Sequence, residues 1–160
     1  MTHLRYPSSK AEGDKAYQRF VQTATGLGRE VIKASDADDI IFHIDCYVES
    51  KSFDVKGMKR ISREGEVQDR YHWVEFKNIN GEPGWLHGRA TFIAFETQKS
   101  FIIVSRTKLI DALEHKVDHT AVSDPYKALY KSYSRNGRKD AITLVETDWL
   151  RQIAGKEIVC

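Results

Sequence analysis

Apolar residues recur at the spacing of one helical face between Ala11 and Gly26, where Tyr17, Phe20, Val21 and Ala24 share a stripe, so a helix is predicted there. Gly26 and Gly28 end it. A strand-like GREVIKAS follows, then a turn at Asp36-Ala37-Asp38-Asp39, then IIFHIDCYV, whose β-branched and aromatic content predicts a buried strand. Lys51 to Ile61 and Tyr71 to Ile79 read as two more strands around a polar segment containing Glu64-Gly65, and residues 80–84 form a turn cluster. RATFIAFET and SFIIVSR read as a hairpin around Gln98-Lys99, followed by a helix over Thr107 to Lys116. Pro125 opens a predicted helix to about Tyr133, Asn136-Gly137 a turn, AITLVET a last strand, and Asp148 a capped closing helix. Helices flanking a run of strands define an α/β domain, bordering on α+β, with a mixed central β-sheet, and residues 1–160 form one domain.

Composition narrows the class. No apolar run reaches the roughly 18 residues that a membrane span needs, and the first fifteen residues, MTHLRYPSSKAEGDK, lack an apolar secretory core. With only Cys46 and Cys160, a disulfide framework is not expected, and the reducing cytoplasm is the expected compartment. Residues 1–80 hold 13 basic and 13 acidic side chains and residues 81–160 hold 12 and 10, which puts the formal +2 in the second half. There, residues 125–139 carry Lys127, Lys131, Arg135, Arg138 and Lys139 with no acid, a local surplus suited to phosphates.

The candidate chemistry lies on the predicted strands. Alternation places Asp54 and Lys56 on one face of their strand and Phe53 and Val55 on the other. The preceding strand sets His43, Asp45 and Tyr47 against Ile44 and Cys46, and the following one sets Trp73, Glu75 and Lys77 against Val74 and Phe76. A hairpin turn centred on Glu49-Ser50 puts Asp45 across from Asp54, and one centred on Glu64-Gly65 puts Asp54 across from Glu75. Three carboxylates in a row across a meander repel one another, and a divalent cation removes the conflict. Mg²⁺ suits such oxygen ligands because it keeps several waters and completes its shell with substrate phosphates. The competing reading makes the two acid-x-Lys pairs surface ladders worth about 0–1 kcal/mol each.

The order helix, GREVIKAS, HID, FDVK resembles the PD-(D/E)xK nucleases, the restriction-endonuclease-like fold, over roughly residues 12–80. That resemblance implies that Asp45 is the isolated acid and that Asp54 with Lys56 is the (D/E)xK element, with eight residues between the acids. A second alignment makes Asp54 the isolated acid and Glu75-Phe76-Lys77 the ExK element. Ile44 stands where the family name has Pro. The family often adds an acid from its first helix, for which Glu12 and Glu30 are the candidates.

The resemblance implies hydrolysis of DNA phosphodiesters, with Asp45, Asp54, Glu75 and the Val55 carbonyl around Mg²⁺ or Mn²⁺ and Lys56 positioning the attacking water. His43 is a further neighbour of the site. Tyr126, Tyr130 and Tyr133 form a stripe on the predicted helix with Lys127 and Lys131 beside it, and Arg135, Arg138 and Lys139 surround the turn. These cations, with Arg60 and Arg63 at the hairpin tip, are the expected contacts to a nucleic-acid backbone. A homodimer is implied by the resemblance alone. The other function classes are a noncatalytic nucleic-acid- or protein-binding module of the same fold, and an interaction protein whose acids are a surface salt-bridge lattice.

Overall fold

A computed structural model describes residues 9–160; the polar start of the chain read above, residues 1–8, lies outside them. Helix α1 spans Ser9–Gly26 and buries Ala16, Phe20 and Ala24, residues four apart on one face. Strands β1 (Val31–Lys33), β2 (Cys46–Val48), β3 (Lys51–Lys56), β5 (Phe92–Glu96), β6 (Ser100–Ser105) and β10 (Lys156–Val159) form a six-stranded sheet in the order β1-β2-β3-β5-β6-β10. A four-stranded sheet orders β4 (Tyr71–Lys77), β9 (Ala141–Glu146), β8 (Ser132–Tyr133) and β7 (Ala121–Val122) as β4-β9-β8-β7. Both sheets are mixed, since β3 runs parallel to β5 and β7 parallel to β8, and the fold is of the α/β class.

Alternation along the strands supplies two cores. On one face of the large sheet, Cys46, Phe53, Val55, Ala94, Phe101 and Ile103 pack under α1, where the Phe20 ring lies 5.4 Å from Phe53 and 5.2 Å from Phe101. The opposite face carries Ile93, Phe95, Ile102 and Val104. These meet Leu109 and Leu113 of α3 (Arg106–Lys116), Leu150 of α4 (Thr147–Ile153), and Val74 and Val145 of the small sheet. Fully burying such a side chain contributes about 1.5–3 kcal/mol.

Four expectations are corrected. Residues 36–42 form helix α2 (Asp36–Phe42) instead of a turn and the start of a strand. Ser35 caps it by accepting from the Asp38 amide, and three aspartates in the first turn suit the helix dipole. Local capping thus overrides the β-propensity of Ile40 and Ile41, which stand 77% and 64% exposed. Second, β3 ends at Lys56 and does not continue into a meander. The following segment crosses to the small sheet, its base closed by the Lys59–Gln68 bridge and the Gln68 side chain, while buried β5 takes the free edge of β3.

Third, the helix from Pro125 is a single 3-10 turn, Pro125–Lys127. The chain beyond it is drawn into pairing with β9: the Tyr130 amide donates to the Leu144 carbonyl and the Leu144 amide to Ala128. The tyrosine stripe is therefore dispersed, with Tyr126 exposed, Tyr130 against Trp149 and Tyr133 against Trp73. Fourth, β10 follows α4 and pairs with β6, so β9 is not the last strand. Among the described residues no helix is long and apolar enough to cross a membrane.

His72 of β4 is 2% exposed, edge-on to Phe95 at 5.1 Å, and its Nε2 has no hydrogen-bond partner. Burial holds its pKa at about 4, against 6.5 for the ordinary group. The unfolded chain gains this proton near pH 6.5 and the native ring only near pH 4, so the stability contribution is complete above 6.5 and is lost as pH falls through that window. The expected slope is about 1.4 kcal/mol per pH unit. His72→Phe, which keeps the ring contact, should flatten the acid side of a urea-midpoint profile; an unchanged slope assigns it to another group.

Candidate active site

The site begins with a hairpin register. Glu49 and Ser50, with φ of 48° and 71°, form the two-residue left-handed turn that joins twisted antiparallel strands. It pairs Cys46 with Phe53, Tyr47 with Ser52 and Val48 with Lys51; Asp45, just before this ladder, lies beside Asp54. Asp45 is fixed from both ends: its amide donates to the Phe53 carbonyl at 2.8 Å, and its Oδ2 accepts from the Val55 amide at 2.6 Å. Asp54 is 4% exposed on the face away from α1, and its Oδ1 lies 3.1 Å from Lys56 Nζ.

Two carboxyl groups in this place do not both ionise easily. Burial, then the charge of Asp54, pushes Asp45 up to about 7. Burial raises Asp54 as well, opposed by Lys56 and by a hydrogen bond with Asp45. The Lys56 ammonium offsets part of this repulsion.

The turn Gly84-Trp85-Leu86-His87-Gly88 is wedged beside this pair. A Cβ at Gly84 would stand 2.6 Å from Glu75 Cγ, and one at Gly88 would stand 2.9 Å from His43 Cβ, so both glycines are required by close approach. Trp85, pinned through its amide to Glu75 Oε1 at 3.3 Å, places its ring 4.6 Å from Lys56 Nζ. His43, in a left-handed conformation at the end of α2, is lowered in pKa by burial and then by Lys56, against Glu75. Glu75 therefore reaches the neighbourhood of Lys56 from the second sheet, across a gap, and not from the strand beside β3; the predicted row of three carboxylates is corrected to a pair with a distant third. Lys77 follows an irregularity in β4 and is exposed, so the Glu75-x-Lys77 alignment is not assembled around Asp54. Among the described residues no three His, Cys, Asp or Glu side chains gather as a ready metal cage.

Lys56 opens into a cleft of about 820 Å³. One wall carries Lys59, Arg60 and Arg63 and the other Arg135 and Arg138, with Glu12 and Glu75 as the acids. Glu12 of α1 lies 3.7 Å from Arg60, whereas Glu30 is exposed before β1, its carbonyl bonded to the Glu49 amide. Lys59 was not among the expected residues; burial and then Lys56 lower its pKa. The signal for it is the Lys56-x-x-Lys59-Arg60 run immediately after the strand.

The basic segment divides. Arg135 Nε is 2.6 Å from the buried Asp140 carboxylate, which fixes that wall, and Arg138 is exposed beside it. Lys131 is ion-paired with Asp118, Lys139 packs against the turn at Gly81, and Lys127 is exposed outside the cleft lining. No family model, no curated protein and no solved structure matches the chain.

The acid pair carries a pH signature. With an ordinary pKa of 3.8 and a native one of about 7, Asp45 costs nothing below pH 4, and the native state loses stability as pH rises through 7. Asp45→Asn should therefore raise the thermal midpoint of metal-free protein at pH 8 and leave it unchanged at pH 4; equal midpoints at pH 8 would contradict a strained carboxyl pair.

Proposed function

We propose that this chain is a divalent-metal-dependent nuclease that hydrolyses DNA phosphodiesters. The observation that carries the reading is the meeting of Asp45, Asp54 and Lys56 behind a cleft walled by cations. The donor set fits Mg²⁺ or Mn²⁺: two mutually repelling carboxylates, with waters and a substrate phosphate left to complete the shell. Asp45 and Asp54 would hold the ion, with the Val55 carbonyl as a further oxygen within the reading. The metal, when bound, supplies acidification of water and neutralisation of charge on phosphate. Lys56 orients the attacking water and offsets charge developing on the scissile group, held for this by Trp85 on one side and Asp54 on the other.

A noncatalytic DNA-binding module is the second reading, favoured by the burial of Asp54 and its existing ion pair. Supercoiled plasmid and single-stranded DNA, each with Mg²⁺ or Mn²⁺, separate the two. Cleavage of either by the native protein, abolished by EDTA and reduced by about 10²-fold or more in Asp54→Asn and Lys56→Ala, is expected of the nuclease. Binding without cleavage of either selects the module.

The walls make a separate prediction. Arg63→Ala/Arg138→Ala should weaken DNA binding and reduce the slope of log affinity against log salt by about two. Lys131→Ala, which removes a cation already paired with Asp118, should leave both unchanged. A double variant with the native slope would remove these arginines from the interface.

A further inference from the structure

We infer that the cleft admits an unpaired strand, so that the substrate class is DNA carrying a single-stranded segment and not an uninterrupted duplex. The inference rests on the nuclease reading for the nature of the ligand; its own grounds are the depth of the reactive groups, the size of the cleft and the rings that line it.

Lys56 lies within the cleft lining, and Asp54 behind it is 4% exposed. A phosphate that reaches these groups has to be drawn inside. The cleft, at about 820 Å³, falls in the size range of small-ligand sites and not of a surface that cradles a double helix. Its two sides also meet: Ser62, in the lining, is joined by a hydroxyl–hydroxyl hydrogen bond of 2.9 Å to Tyr126, the chain neighbour of the lining residue Pro125. A single backbone can enter such a space, whereas a duplex would have to open first.

Trp73 and Tyr133 line the same cleft, both half-buried, with ring centroids 5.7 Å apart and planes 32° from parallel. The indole is held in place by donating to the Arg60 carbonyl at 2.9 Å. Aromatic rings beside backbone-binding cations form the platform on which unstacked bases settle without regard to sequence. In a duplex the base faces are covered by one another and cannot use it.

The experiment is fluorescence anisotropy in EDTA, where no metal-dependent cleavage occurs, with a labelled single strand, a duplex bearing an unpaired flap, and the blunt duplex of the same sequence. The single strand and the flap are expected to bind about tenfold or more tightly than the blunt duplex. Tyr133→Ala should weaken the first two by about tenfold without moving the third, and Tyr133→Phe, which keeps the ring, should restore them. Equal affinity for all three, or equal loss on all three in Tyr133→Ala, overturns the inference. Single-strand preference without cleavage in Mg²⁺ or Mn²⁺ leaves it standing and removes the nuclease reading; cleavage of blunt duplex with no such preference does the reverse.

Discussion

The register between β2 and β3 is the constraint on which the site depends. Because side chains alternate between faces, a slip of one residue would carry Asp54 and Lys56 into the apolar layer under α1 and bring Phe53 and Val55 out of it. Two features resist the slip. The turn at Glu49-Ser50 is the short left-handed kind that allows one register, and Phe53 and Val55 are locked against Phe20, Ala16 and Ala94. The apolar packing thus supplies the free energy that holds two carboxyl groups together against their own repulsion, and core and candidate chemistry are opposite faces of one strand.

The second constraint is the close approach of the two sheets beside Lys56. Only glycine at 84 and 88 lets the intervening turn sit between Glu75 and His43, and that turn delivers the Trp85 ring to the ammonium. The cationic walls are then assembled from residues 59–63 and 135–138, segments that are far apart in sequence. Each is anchored by ordinary structural contacts, Gln68 on Lys59 and the buried Asp140 on Arg135. The cleft's charge therefore rests on a scaffold whose ion pairs are partly structural, which distinguishes Arg135, held by its side chain, from Arg138, held through its backbone.

What could be read from the sequence divides along the same line. Local patterns carried α1, the β5–β6 hairpin, α3 and the β2–β3 hairpin with its turn at Glu49-Ser50, since each depends on neighbours within about twenty residues. The partner of β4 was not legible, because the arithmetic that sets Asp54 across from Glu75 assumes a hairpin, while the actual neighbour, β9, lies some seventy residues onward. Residues 36–42 deceived in the other direction: an Ile-Ile pair in a run of strand-forming residues is overruled by Ser35 and three aspartates that start a helix. For the segment 125–133, helical spacing of tyrosines was present without the helix, because backbone pairing with β9 claims Ala128 and Tyr130. Lys59 was missed since a lone lysine after a strand acquires meaning only when Lys56, Glu12 and Arg135 are brought around it.

The double tether of Lys56 answers an apparent conflict within the site. If Asp54 turns its charge to a cation, the carboxylate is no longer free to hold the ammonium, and an unpartnered lysine on a strand end would swing into solvent. Trp85 removes that difficulty, because attraction of an ammonium to the face of an indole contributes about 0.5–2 kcal/mol independently of the acid. The turn that carries the ring is in turn held by Glu75 and by the close approaches at Gly84 and Gly88. Glu75 thus acts on Lys56 through the position of Trp85, which gives the acid of the second sheet a structural part in the site without its standing on the strand beside Asp54.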